Sequence, residues 1–103
     1  MTVMPYPTYS HRQLFKAILK LQDEKETAAF FRDLMTISEL DAAAERWQMA
    51  KLLWTTNLSY KQIAKKTGGS TTTITRVAHW LHSGMGGYKT ILIRLFGVYK
   101  KLK

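Results

Sequence analysis

The stretch L-S-Y-K-Q-I-A-K-K-T-G-G-S-T-T-T-I-T-R-V-A-H-W-L, Leu58 to Leu81, decides how the chain is read. Ser59 with Gln62 three residues later has the form of a capping box and opens a short helix. Gly68-Gly69 breaks that helix, and Ser70 caps a second one reaching about His82. The first helix turns Ile63 and Ala64 inward, Ala64 being small enough to let the second helix cross close above it. The second turns Ile74 and Val77 inward, three apart, and leaves Thr71, Thr72, Thr75, Arg76 and His79 outward. Two helices crossing through a Gly-containing turn have the form of a helix-turn-helix, here over about 59–82, whose second helix enters a DNA major groove. Short hydroxyls and one Arg reach base edges and phosphates without a bulky clash. The expectation is a DNA-reading surface.

The distribution of charge supports that expectation. All seven acids lie before residue 46, where five bases leave a net −2. From Arg46 to Lys103 there are eleven Lys or Arg and no acid, and the whole chain carries +9. A long acid-free half is what a phosphate-facing surface requires, although a basic face can also serve solubility alone. The chain has no Cys, which excludes a disulfide framework and a thiolate zinc site. No run approaches the roughly 20 apolar residues of a membrane span. The N-terminus lacks the basic region and apolar core of a signal peptide, so a cytoplasmic protein is expected.

The remaining segments read as helices. Residues 1–9, with Pro5 and Pro7, are expected to form an extended arm, and 10–103 a single helical DNA-binding domain. Ser10-x-x-Gln13 is expected to open a helix to about Gln22, with Leu14, Ala17, Ile18 and Leu21 on one face. Asp23-x-x-Glu26 starts a second, burying Phe30 or Phe31, Leu34 and Met35. Ser38-x-x-Asp41 starts a third, with Leu40, Ala43, Ala44, Trp47, Ala50, Leu53 and Trp54 at helical spacing. After the Leu58–Leu81 pair, three glycines in Ser83–Gly87 force a turn. A last helix from about Tyr88 carries Ile91, Leu92, Leu95, Phe96 and Tyr99 and ends among lysines that suit its negative C-terminus. Six helices and no convincing strand make an all-α architecture. A hydrophobic content of 46% is rich for a monomer of 103 residues, and helices this short often complete their burial against a partner chain.

With the helices in order, the chain resembles the tryptophan-repressor superfamily, in particular its YerC/YecD-type branch. The resemblance spans about Leu34 to Leu95 and rests on A-E-R-W-Q-M-A-K-L-L (Ala44–Leu53), L-S-Y-K-Q-I-A, T-G-G-S-T-T-T-I-T-R-V and G-M-G-G-Y. It implies a six-helix fold and an intertwined homodimer, with a helix-turn-helix at each end addressing successive major grooves of a roughly palindromic operator. It also implies a corepressor slot between the central and recognition helices, with Arg46 and Arg76 matching the two ligand-contacting arginines. Val77 stands where a Gly would open space, and Trp80 where a Ser would contact the ligand amine. Two bulky side chains are expected to fill that slot as a vestigial pocket, Trp80 acting as a built-in occupant. Free tryptophan is then not expected to bind, and no cofactor is implied.

Each candidate residue also has a plainer use. Arg76 contacts DNA or pairs with a carboxylate, and its outward place favours DNA. Ser70, Thr71, Thr72 and Thr73 read bases or hold the helix start. His79 reaches a phosphate or is simply solvated. Lys61, Lys65, Lys66 and Lys89 are phosphate candidates whose case rests on their sum; neutralising about six to ten phosphates makes binding fall roughly a thousandfold or more from low to physiological salt. Trp47 and Trp54, seven apart, suit core or a dimer interface better than base stacking. The Gly86-Gly87 pair offers backbone amides to a phosphate or is a tight turn. His79 and His82 lack a third metal ligand, and neither a nucleophile elbow nor a phosphate loop is present, so no enzyme or metal site is expected. The resulting expectation is a homodimeric, sequence-specific DNA-binding transcriptional regulator, a repressor by resemblance. The runner-up is a helical protein–protein interaction module with weak nonspecific nucleic-acid binding. A nonspecific RNA binder is third, for want of an exposed aromatic platform.

Overall fold

The computed structural model describes residues 5–98. Six helices follow one another: α1 (Tyr9–Ile18), α2 (Glu24–Leu34), α3 (Ile37–Thr55), α4 (Tyr60–Thr67), α5 (Thr71–Ser83) and α6 (Gly87–Phe96). No strand occurs among the described residues. The chain forms two compact units, one up to Leu40 and one from Asp41 on, the division falling inside α3.

In the first unit α1 starts earlier than the sequence pattern suggests. Its cap is Thr8 rather than Ser10: the Thr8 hydroxyl accepts from His11 N–H, and His11 Nδ1 accepts from Thr8 N–H at 3.0 Å. The box closes with His, outside the Glu/Gln pattern that marked Ser10-x-x-Gln13. The rings of Tyr6, His11 and Phe15 gather beside this cap. The helix stops at Ile18, short of Gln22. Asp23 caps α2 as expected, accepting from Glu26 N–H at 2.8 Å. The expected burial of Leu34 does not occur: neither α1 nor α2 contains a buried residue, and Phe30 and Phe31 are half-buried.

The start of α3 also shifts. Thr36 and Glu39 form its reciprocal cap, with Thr36 N–H donating to Glu39 Oε1 at 2.9 Å and Glu39 N–H to Thr36 Oγ1 at 3.1 Å. The Ser38-x-x-Asp41 pair lies inside the helix instead. The Thr36 N–H on the carboxylate, followed by the Thr36 side chain, holds the Glu39 carboxyl below its ordinary value.

The second unit holds the core. Met49, Ala50 and Trp54 of α3 pack with Ile63 of α4, with Ile74, Val77 and Leu81 of α5 and with Leu92 of α6. Met49, Ile63, Ile74 and Leu92 are fully buried, each such side chain contributing about 1.5–3 kcal/mol relative to exposure. Trp54 Nε1–H donates to the Gly97 carbonyl at 3.0 Å, tying the end of α6 to α3. Gly97 ends α6 with φ 84°. The helix therefore stops at Phe96, and the expected Tyr99 position lies outside the described residues. Of the apolar residues this helix was expected to carry, Leu92 is buried, and Ile91, Leu95 and Phe96 are exposed. No helix of the described residues is long and apolar enough to cross a membrane.

Candidate nucleic-acid interface

The α4–α5 pair is shaped by local chemistry. Ser59 and Gln62 form the expected reciprocal box, Ser59 N–H donating to Gln62 Oε1 at 2.8 Å and Gln62 N–H to Ser59 Oγ at 3.1 Å. Gly68 ends α4 in the left-handed conformation (φ 76°), its N–H on the Ala64 carbonyl at 2.9 Å. A side chain there would be strained, because an L-residue's Cβ crowds the carbonyl in that conformation. Gly69 is a close approach: a Cβ on it would collide with the Met49 methyl and the Glu45 carboxylate on α3. The glycine pair thus reverses the chain and also lets the turn lie against α3. Ser70 then caps α5, accepting from Thr73 N–H at 3.2 Å.

The inner face of α5 (Ile74, Val77, Ala78 and Leu81) is sealed in the core. Its outer face exposes Thr71, Thr72, Thr75 and His79, neighbours at helical spacing. Ser70 alone does the capping, and Thr71 and Thr72 keep free hydroxyls among the described residues. Thr73 differs from its neighbours. It is half-buried, and its hydroxyl lies 3.1 Å from that of Ser70. Lys61, Lys65 and Lys66 are exposed along α4, and Lys89 is exposed in the first turn of α6. Gly86 opens α6 with no side-chain cap.

Arg76 is exposed but stands on the flank of α5, where it turns toward a concave site of about 350 Å³. Arg46 of α3, Thr73, Val77 and Trp80 of α5 and Tyr88 of α6 complete the lining. Arg76 forms no ion pair among the described residues. Two arginines therefore line one groove that has no acidic residue in its wall. Its geometry departs from the expected filled slot. Val77 is 1% exposed and serves as floor, because it faces the core with Ile74 and Leu81. Trp80, one turn further, is 58% exposed and stands at the rim, its ring edge-on to that of His79 at 5.0 Å. Tyr88 is a lining residue that the sequence does not single out. Its ring stacks on Trp47 at 6.5 Å across the α3–α6 junction, an approach no local pattern announces. Trp47 and Trp54 both belong to the packing, Trp54 in the core and Trp47 against it. No cluster of His, Cys, Asp and Glu that could hold a metal occurs among the described residues.

Residues 10–96 match the family of the Trp repressor protein, and the chain belongs to that family. It is 42% identical over 83 residues to the uncharacterised protein YerC of Bacillus subtilis (strain 168), covering 81% of this chain and 79% of that one. Among solved structures it is similar to a TrpR-like protein from Eubacterium eligens ATCC 27750, with TM-score 0.83 and 42% identity over 92% of this chain and 96% of the other. A Trp repressor candidate from Staphylococcus aureus gives TM-score 0.82 and 34% identity over 90% and 92%. The all-α, Trp repressor-like fold expected from the sequence is the fold of these structures, and the family suggests a DNA-binding regulator.

Proposed function

We propose that the protein is a homodimeric transcriptional regulator that binds DNA sequence-specifically through the helix-turn-helix α4–turn–α5, as a repressor. The observation that carries this reading is the outer face of α5, a solvent-exposed row of short hydroxyls in the half of the chain that has no acid. Such a helix can lie in a major groove, and Lys61, Lys65, Lys66 and Lys89 set its register through phosphates. Arg76 sits on the flank of that face, lining the groove, and a long guanidinium side chain there is suited to a phosphate or a guanine edge. The homodimer is supported by apolar surface that one chain leaves uncovered: Phe15, Leu19 and Leu34 on or beside the first two helices, and Ile91, Ile93, Leu95 and Phe96 on α6. Exposed apolar patches of this kind mark association surfaces.

Selection of bound fragments from genomic DNA, followed by affinity measurements across salt, tests the proposal. A recurring near-palindromic site should emerge, preferred over random duplex by a factor of about a thousand or more. The Lys66→Ala variant should flatten the logarithmic salt dependence by about 0.9 for each phosphate it no longer neutralises, without changing the preferred site. Arg76→Ala should weaken binding and relax preference at one base position. Loss of dimerisation in that variant would instead make Arg76 a structural residue.

Free tryptophan is left out as the controlling ligand in this reading: the groove is open, but Val77 and Trp80 on its α5 side offer no acceptor to the ammonium group of an amino acid. The groove also supports a second reading. Its volume and the two arginines that line it suit a small carboxylate. Titration calorimetry separates the two, and micromolar tryptophan binding would decide for the second.

A further inference from the structure

Four of the first five residues of α5 are threonines, and their hydroxyls are not equivalent. Thr73 is turned toward Ser70 and the groove. Thr75 lies on the exposed face, and its Oγ1 donates to the Thr71 carbonyl at 2.9 Å. A threonine hydroxyl folded back on its own helix has committed its one hydrogen. The other branch of the Cβ, the methyl, is then what the side chain presents outward. Around it stand Thr71, Thr72 and His79, with Arg76 on the flank beside the groove. This face has no Asn, Gln or Lys, the long side chains that pair with adenine or guanine edges. At its centre is a small apolar group.

Only one base places an apolar group in the major groove. Thymine carries a 5-methyl there, and a threonine methyl is one of the groups that packs on it. We infer that the outer face of α5 recognises thymine through its 5-methyl group, with the Thr75 methyl as the contacting group. The inference rests on the DNA-reading assignment above and deepens it by naming the base feature read. Charge complementarity supports the approach, since no acid follows Glu45 anywhere in the sequence. The hydroxyls of Thr71 and Thr72, free among the described residues, are left to donate to neighbouring acceptors.

The test begins with a site selected from randomised duplexes by the unaltered protein. Each thymine of one half-site is then replaced in turn by deoxyuridine, which deletes the 5-methyl and keeps the pairing. One position should lose about fourfold in affinity, the effect of one methyl group removed from an apolar environment. Thr75→Ser keeps the back-bonded hydroxyl and deletes the methyl, so it should bind the thymine and uracil duplexes equally at that position. Thr75→Val keeps the methyl and a β-branched helix residue, and should preserve the preference for thymine. The deoxyuridine series uses the natural protein, so its result stands whatever the variants do to folding. A preferred site insensitive to deoxyuridine at every thymine would overturn the inference while leaving DNA reading intact. Discrimination retained by Thr75→Ser would also overturn it. If no site is enriched over random duplex, the DNA-reading assignment fails and the inference falls with it.

Discussion

Gly68 and Val77 mark the two ends of what single residues reveal. Gly68 is visible in the sequence as a breaker, and the structure adds why it has to be glycine: φ is 76° and nothing lies within 4 Å of where a Cβ would stand. The penalty for a side chain there is thus backbone strain alone, with no steric clash to add. Gly68→Ala should cost about 1–2 kcal/mol, and Gly68→Asn less, because Asn tolerates the left-handed region. Urea unfolding of the two variants checks that order; equal losses would point to packing instead. Val77 is turned inward, as its spacing from Ile74 indicates, yet it forms the floor of a groove where the sequence suggested a filled slot. Periodicity assigns a residue to a side of its own helix. What stands opposite that side depends on α3 and α6, which bring Arg46 and Tyr88 from distant sequence. For the same reason Trp80 could be placed on α5 from sequence, but not at the rim of a groove.

At the scale of helices, the caps of α2 and α4 were legible because Asp23 and Ser59 are each followed three residues on by Glu26 and Gln62, and that of α5 because Ser70 directly follows the Gly68-Gly69 break. The cap of α3 was not. Thr36-x-x-Glu39 and Ser38-x-x-Asp41 have similar forms two residues apart, and the backbone's choice decides between them. That choice has a pH consequence. The ionised Glu39 carboxylate accepts the Thr36 N–H, and this bond, followed by the one from the Thr36 side chain, lowers its pKa in the folded chain. A lowered folded pKa means the contribution is fully present above the ordinary carboxylate range and is lost as pH falls through the lower folded value. Amide exchange at the first turn of α3 should therefore gain protection loss on acidification through that interval, beyond the intrinsic pH dependence of exchange. Glu39→Gln, whose amide oxygen still accepts but does not titrate, should remove that loss. An unchanged loss in that variant would assign it to another group. Ser70→Ala, by contrast, should destabilise by about 1 kcal/mol independently of pH, since its hydroxyl cap carries no charge.

The whole molecule poses a question its separate helices do not: where its apolar surface goes. Composition hinted at a partner, with 46% hydrophobic residues in 103, but could not say which side chains stay uncovered. Sequence periodicity marks Leu34 for burial and counts Leu95 among the apolar residues of the last helix, without knowing whether one chain or two will bury them. In the structure Leu95 is 60% exposed, and Leu19, next to α1, is 81% exposed. If a second copy covers these surfaces, folding and association are linked, and the melting temperature should rise with protein concentration. Leu95→Asp should then give a monomer by sedimentation. It should do so with little intrinsic cost to the isolated chain, because substitutions at exposed positions away from caps and core usually stay within about 0.5 kcal/mol. DNA binding should fall much further than that, since a monomer engages one half-site and forgoes the gain of linking two. A variant that stays dimeric would move the interface away from α6. A concentration-independent melting temperature, together with a monomeric natural protein, would leave each α5 to bind DNA alone, and the near-palindrome expected of the selected site should then disappear.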